Sequence, residues 1–231
     1  MIKIKHLSFA YDKQNVLHNI SLNIQKGELI GVIGESGSGK STLMNLILGD
    51  LRPDQGVIDV NTERVLPIFQ QATQSFNPKL TLRTSLKEPL KYYAHAESSF
   101  DAIVLPLMKQ LNLEQRLLER YPDQVSGGQL QRFNVLRTVM LQPDVLICDE
   151  ITSSLDVVAE QKLISQLKAI HQQQQTTMVI ISHDIAMLNQ IADRMIVLQN
   201  GHIVDDFNTQ DLFASTRHAY TKELIQAYDE N

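Results

Sequence analysis

Nine consecutive residues, Gly34-Glu35-Ser36-Gly37-Ser38-Gly39-Lys40-Ser41-Thr42, constrain this 231-residue chain more than any other stretch. They fit the pattern G-x-x-x-x-G-K-[ST]; the apolar run 29–33 stands immediately before them, and a helical pattern, 42–48, follows and stops at Gly49. A strand that turns through glycines into a helix points several backbone N–H groups into one small concavity. The helix adds the positive end of its dipole, so the concavity suits a phosphate-bearing anion. With average residue frequencies the pattern arises by chance in roughly 1% of chains this long, before the flanking strand and helix are required. In such loops the lysine, here Lys40, reaches the β- and γ-phosphates of a nucleotide, and the hydroxyl, here Ser41, coordinates Mg²⁺. The loop alone leaves kinases, GTPases and ATPases open. No N-K-x-D segment of the kind that reads guanine is present.

The surrounding pattern predicts an α/β core. Ile2 and Ile4, then Ile20, Leu22 and Ile24, alternate as antiparallel strands do, with Lys26-Gly27 as a turn. Arg52-Pro53-Asp54 makes a turn before a strand over 57–60. Asp144-Val145-Leu146-Ile147-Cys148 and 178–181 read as buried strands. A helix bearing Leu163, Leu167 and Ile170 on one face lies between them, running out into a turn at the glutamines 172–175, and Asp184 caps the helix after them. Asn200-Gly201 between Ile196-Val197-Leu198 and Ile203-Val204 predicts a hairpin, and 216–228 a terminal helix. Short apolar strands alternating with helices indicate a largely parallel sheet. Residues 71–142 carry mostly helical pattern, including a helix over 101–118 that Pro106 starts, kinks or interrupts, and an amphipathic helix through Leu130, Phe133, Leu136, Val139 and Met140. The expected layout is therefore one domain, 1–231, with a core of 1–70 and 143–231 and an inserted helical lobe of 71–142.

The strand ending in Asp149-Glu150 would deliver two acids to the ligand crevice. Adjacent strand residues point to opposite faces, so the acids are expected to work differently. Asp149 would hold Mg²⁺ through water, and Glu150 would orient and polarise an attacking water. A solvated turn after a core strand is the plainer alternative for an isolated acid pair; the intact phosphate loop weighs against it. Ser126-Gly127-Gly128-Gln129 opens a helix with a hydroxyl and free N–H groups, which suits either a second anion site or a simple N-cap.

In order along the chain, the phosphate loop, Val125-Ser126-Gly127-Gly128-Gln129, Asp149-Glu150, Ser154-Leu155-Asp156 and Ser182-His183-Asp184 resemble an ABC ATPase from end to end. The resemblance implies a P-loop ABC fold: a RecA-like parallel-sheet core, an antiparallel β subdomain and an inserted helical subdomain. It implies ATP and Mg²⁺ as ligands, and a signature segment (Ser126, Gly127, Gly128, Gln129) that closes over ATP held by the phosphate loop of an opposing subunit. His183 would then contact the γ-phosphate and help hold the attacking water. Gln70, with Gln71 beside it, would touch Mg²⁺ and sense a membrane partner, and Asp156 would belong to the loop linking two active sites. Tyr11 resembles the aromatic that stacks on adenine, or is a packed strand residue. Two departures, Val125 for the usual leucine and Ile151 where many relatives have proline, remove no reactive group.

Phe69-Gln70 with Ser75-Phe76-Asn77-Pro78, and the tail His218-Ala219-Tyr220-Thr221-Lys222-Glu223-Leu224, are similar to the ATP-binding subunits of peptide and nickel importers, the nickel and metallophore-type branch above all. That likeness implies a second, non-identical ATPase subunit, two integral-membrane permeases and, indirectly, an extracellular substrate-binding protein as partners. It implies a peripheral location at the cytoplasmic face of the cell membrane. Nickel, cobalt or zinc as a chelate is the implied cargo, with oligopeptide as the alternative. The seven histidines are scattered without metal-ligand spacing, and the single cysteine, Cys148, forbids an internal disulfide and reads as a buried core residue. A different class, ABC ATPases acting on ribosomes or nucleic acid, carries fused halves, long coiled coils or basic extensions. This chain has one half, no sustained heptads and a formal net charge of −5, so no nucleic acid partner is expected. No stretch reaches the roughly 18 apolar residues of a spanning helix, and no signal core opens the chain, so any membrane role is expected to run through a partner.

Overall fold

The computed structural model describes residues 1–93, 99–153 and 155–229. β1 (Ile2–Tyr11) and β2 (Gln14–Ile24) form an antiparallel pair in which Ile2 faces Ile24 and Ile4 faces Leu22, as their alternation predicts. β3 (Leu29–Ile33) is buried along its whole length and runs into the phosphate loop. α1 (Lys40–Leu48) follows and ends on Gly49. β4 (Gln55–Val60) returns to the free edge of β1, closing a three-stranded antiparallel sheet.

The main sheet has six strands. β5 (Val65–Ile68), β6 (Val145–Asp149), β7 (Thr177–Ile181), β3 and β8 (Arg194–Gln199) are parallel neighbours in that spatial order, and β9 (His202–Asn208) pairs antiparallel with β8. Asn200 and Gly201 take positive φ of 47° and 75° at the β8–β9 turn, the conformation that an Asn-Gly hairpin requires. β5 carries no strong strand signal because Pro67 sits inside it. It is tolerated there because β5 is the sheet edge, where one side of the backbone needs no partner.

Alternation along the parallel strands divides the core. Ile30, Val32, Val145, Ile147, Val179, Ile181, Ile196 and Leu198 pack toward α1 and the three-stranded sheet. Leu29, Ile33, Leu146, Cys148, Met178, Ile180, Met195 and Val197 pack toward the helices of the other face. Each such residue, buried from water, contributes on the order of 1.5–3 kcal/mol. The opposite face is covered by α4 (Gly127–Val139), α5 (Val157–Gln174) and α6 (Ile185–Ile191), with Phe133 of α4 fully buried in that layer. α7 (Ala219–Asp229) begins later than the 216–228 pattern suggests.

Among the described residues no strand lies between β5 and β6; α2 (Leu82–Tyr93), α3 (Phe100–Gln110) and short 3-10 turns fill that stretch ahead of α4. The helix expected over 101–118 is shorter than predicted. α3 stops at Gln110 because Asn112 turns left-handed (φ 50°), and the N–H of Leu113 bonds back to Met108 O at 2.8 Å. A 3-10 turn, Gln115–Glu119, resumes beyond it. Pro106 lies inside α3 without ending it.

Cys148 stands in the middle of this packing, fully buried. Burial, reinforced by the charge of Asp149, pushes its thiol up to about 12. The folded state therefore favours the neutral thiol. The stability this supplies is intact below about pH 8.5, where an unfolded thiol titrates, and is lost as pH rises toward the folded value. A thiol reagent such as dithionitrobenzoate is expected to leave the native chain unmodified at pH 8 and to label one thiol per chain in denaturant, read by absorbance.

Candidate active site

Parallel strands bring their carboxyl-end residues to one crevice, and here β3, β5, β6 and β7 all do so. The register makes the convergence tight: Val32 and Asp149 both pair with Ile181, and Ile68 pairs with Cys148. The phosphate loop follows β3, Gln70 follows β5, Asp149 and Glu150 end β6, and His183 follows β7.

The loop is gripped from behind. A Cβ on Gly34 would collide with the Leu198 carbonyl oxygen, and Gly39 takes φ 106° where a Cβ would press on Leu17. Gly201 N–H donates to Ser38 O at 3.0 Å, so the β8–β9 turn braces the loop. Glu35, Ser36 and Gly37 are exposed, while Gly34, Ser38, Gly39, Lys40 and Thr42 are buried and Ser41 faces out. The Ser38 hydroxyl is buried without a hydrogen-bond partner, as a group awaiting an anion's oxygen is.

Lys40 is only 7% exposed, and its ammonium donates to Gly34 O at 2.6 Å and Glu35 O at 2.8 Å. Burial pulls its pKa below the ordinary lysine value; the charges of Glu150, Asp149 and Glu35 oppose that shift. Asp149 is held above the usual carboxylate range, chiefly by burial and then by Glu150, with Lys40 pulling the other way.

Strand alternation, from which the two acids are expected on opposite faces, does not extend to the second of them. β6 ends at Asp149, and Glu150 adopts a left-handed φ of 45° outside the strand, its N–H bonded to Ile181 O at 2.9 Å. That conformation costs a non-glycine residue roughly 1–3 kcal/mol and persists because the surroundings fix it. The charges of Glu150 and Asp149 both act on Lys40. Gln70 Nε2 donates to Glu150 Oε2 at 3.3 Å, and His183 Nδ1 lies 3.4 Å from Glu150 Oε1. Gln71, the neighbouring glutamine, is used locally: its Oε1 accepts from Gln74 Nε2 at 2.6 Å. Gln70, Glu150, Asp149, Lys40 and His183 thus form one cluster.

Other expected residues lie elsewhere on the chain. Ser126 and Gln129 make a capping box at the start of α4: Gln129 N–H donates to Ser126 Oγ and Ser126 N–H to Gln129 Oε1. Ser126, with Gly127, Gly128, Arg132 and Lys162, borders a cleft of about 410 Å³ that Asp156 also lines; Gln129 is not part of its lining. Asp156 caps α5, its Oδ1 accepting from Ala159 N–H at 2.9 Å. Ser154 lies outside the described residues. Tyr11 ends β1 with 47% exposure, its ring edge-on to Phe9 at 4.9 Å, so it is not a buried packing residue.

An ABC transporter family model matches residues 17–153. Over 231 residues, 99% of each chain, the sequence is 49% identical to a nickel import system ATP-binding protein, NikE, of Staphylococcus aureus strain MSSA476. The structure superposes on the ATP-binding cassette MJ0796, in a dimeric post-hydrolysis state bound to ADP and Pi, with a TM-score of 0.78 at 28% identity over 90% of this chain and 99% of that one. It matches the fold of cbiO1 from Clostridium perfringens with a TM-score of 0.85 at 22% identity, covering all of this chain and 94% of the other. The chain belongs to the ABC transporter family. It is a P-loop ABC ATPase, binding ATP and hydrolysing it in the service of transport, and the α/β class expected from its sequence is the one observed.

Two further residues of this ABC subunit touch the cluster or the loop. Ser153 Oγ accepts from Gln70 Nε2 at 3.1 Å and donates to Glu150 O at 2.9 Å. Tyr220 Oη accepts from Glu35 N–H at 3.0 Å. Ser153 carries no sequence signal of its own; Tyr220 stands in the tail segment already singled out.

Because Asp149 titrates above its unfolded value, it favours folding only while protonated. That contribution is present below the unfolded carboxylate range and disappears as pH rises through the folded value. At neutral pH its ionised form costs the ligand-free chain stability. Asp149→Asn is expected to raise the melting temperature of nucleotide-free protein by about 1–2 °C at pH 7.5, and the gain should vanish near pH 4. Scanning fluorimetry across pH measures it.

Proposed function

We propose that this chain is the ATP-binding and ATP-hydrolysing subunit of an ABC importer energising uptake of nickel, cobalt or another chelated transition metal. The observation that carries the reading is the 49% identity to a nickel import ATP-binding protein across 99% of both chains. Transport subunits of this type touch nucleotide and permease rather than cargo, so cargo is inferred from kinship and not from any pocket on this chain.

The clustered geometry supports specific roles. Lys40, freed from the carbonyls of Gly34 and Glu35, neutralises the β- and γ-phosphates, while loop N–H groups from Gly34 to Thr42 surround their oxygens. Ser41, Asp149 and Gln70 offer hydroxyl, carboxylate and amide oxygens, the hard donors that Mg²⁺ prefers. Mg²⁺ keeps several waters and is held by one or two carboxylates plus substrate phosphates, so this small donor set would suffice. When bound, Mg²⁺ supplies charge stabilisation to the transferring phosphoryl group. Glu150 accepts a proton from the attacking water and orients it, and Gln70 and Ser153 hold Glu150 in place. His183, beside Glu150, contacts the γ-phosphate, and the exposed ring of Tyr11 offers a face for adenine.

Ser126, Gly127 and Gly128, in a cleft apart from the loop, and Gln129 in the same helix turn would act on nucleotide held by a second, non-identical ATPase, with Asp156 joining the two sites. Two permeases and, through them, an extracellular binding protein complete the assembly, this subunit lying peripherally on the cytoplasmic face. A groove of about 540 Å³ between the β5 edge and helices α2 and α4, lined by Pro67, Phe69, Pro89, Arg137 and Leu141, suits a permease's cytoplasmic helix. The inserted lobe, 71–142, supplies one wall of it.

Glu150→Gln is expected to lower hydrolysis at least 100-fold while retaining ATP and an ATP-dependent dimer on gel filtration; unchanged phosphate release would sink the assigned role. Tagged protein solubilised from its host's membranes should co-purify with two permeases and a second ATPase by mass spectrometry. Nickel accumulation should fall when its gene is removed. A ribosomal or repair complex without a permease would overturn the transport reading, and peptide uptake in place of metal would overturn the cargo.

A further inference from the structure

The tail segment Arg217-His218-Ala219-Tyr220-Thr221 is held by one carboxylate with unusual thoroughness. Asp205 of β9 accepts the N–H of His218 at 2.9 Å and the hydroxyl of Thr221 at 3.0 Å on Oδ2. Its Oδ1 meets the Arg217 guanidinium at 3.2 Å, which in turn lies 4.2 Å over the Phe207 ring. His218 Nδ1 accepts the N–H of Tyr220 at 3.2 Å. Thr221 is fully buried and Tyr220 is 5% exposed. Apolar packing alone would not require this polar scaffold, and what it presents is a single phenol oxygen.

That oxygen accepts the N–H of Glu35 at 3.0 Å. The N–H belongs to the Gly34–Glu35 peptide, whose carbonyl accepts Lys40 Nζ at 2.6 Å. One peptide plane is therefore clamped at both ends, by the phosphate-binding lysine on one side and by the tail on the other. Glu35, Ser36 and Gly37 are exposed. If Lys40 leaves the carbonyl for a phosphate, the Tyr220 bond and the Ser38 N–H to Glu35 O bond, at 3.2 Å, are what keep this arm in place.

We propose that Tyr220 is a positioning residue for nucleotide: the carboxyl-terminal segment, anchored on Asp205, fixes the outer arm of the phosphate loop and thereby sets nucleotide affinity. The inference rests on the loop's being the nucleotide site. It concerns preorganisation, so it acts on binding and leaves the reaction itself alone.

Tyr220→Phe keeps the ring and deletes only the acceptor. In the full chain, titrated with a fluorescent ATP analogue, its Kd is expected to rise roughly 3- to 10-fold, the effect of one lost hydrogen bond. Turnover at saturating ATP should stay within about twofold, and exchange of the 34–37 amides, followed by mass spectrometry, should accelerate. Asp205→Asn, which loosens the scaffold and keeps the phenol, should raise Kd by a smaller factor. Leu118→Val, a buried change in the helical lobe, controls for general destabilisation. Unchanged Kd and unchanged loop exchange in Tyr220→Phe would overturn the proposal, as would an equal rise in Kd for Leu118→Val. Failure of the unaltered chain to bind nucleotide would refute the functional reading instead, so the two failures are distinguishable.

Discussion

Lys40 carries its charge at a position almost closed to water, and the arrangement around it follows from the cost of that burial. Removing an ammonium from water costs several kcal/mol after relaxation, and only close acceptors and opposite charges offset it. The carbonyls of Gly34 and Glu35 supply the first, Asp149 and Glu150 the second. The acids are affected by the same closeness: burial first and then the charge of Glu150 push Asp149 toward its neutral form, and Lys40 only partly relieves it. Charge is thus assembled and incompletely balanced, which is the state in which an incoming polyanion with its cation gains most from binding. Four parallel strands ending in one crevice make the assembly possible, because a shared register places Asp149, Ile181 and Val32 level with one another.

The parts of this arrangement that depend on neighbours in sequence were readable without a structure. The glycines from Gly34 to Gly39, the buried run of β3 and the apolar strand before Asp149 each follow from local chemistry. The parts that depend on neighbours in space were not. The left-handed turn of Glu150 is held by its bond to Ile181, 31 positions away, and strand alternation does not extend to it. Gln70 and Gln71 are chemically alike; only the course of the chain from the β5 edge into the 3-10 turn at Ala72–Ser75 decides which one meets Glu150. β5 itself was hidden by Pro67, and the early end of α3 turned on a left-handed asparagine that a helical pattern overlooks. The tail motif was visible, but not that its tyrosine reaches the phosphate loop 185 positions back.

The two ends of the chemistry sit on different parts of the chain, and their electrostatics differ in sign. Around Glu150 the surplus is negative. Around Ser126 the start of α4, Arg132 and Lys162 outweigh the one carboxylate, Asp156, in the lining of the cleft, and Arg132 is bonded to the carbonyls of Gly128, Leu111 and Asn112. Burial pulls the Arg132 guanidinium below its ordinary value, so its charge is held there at a cost. The three carbonyls offset part of that cost, and an anion in the cleft would offset more of it. Under the proposed function, a polyphosphate held by the loop of a second chain would meet that chain's lysine and acids on its near side and the α4 cleft of this chain on its far side. The separation of the two sites on one chain is the feature that the proposed pairing of two chains would use, with ATP as the charge between them.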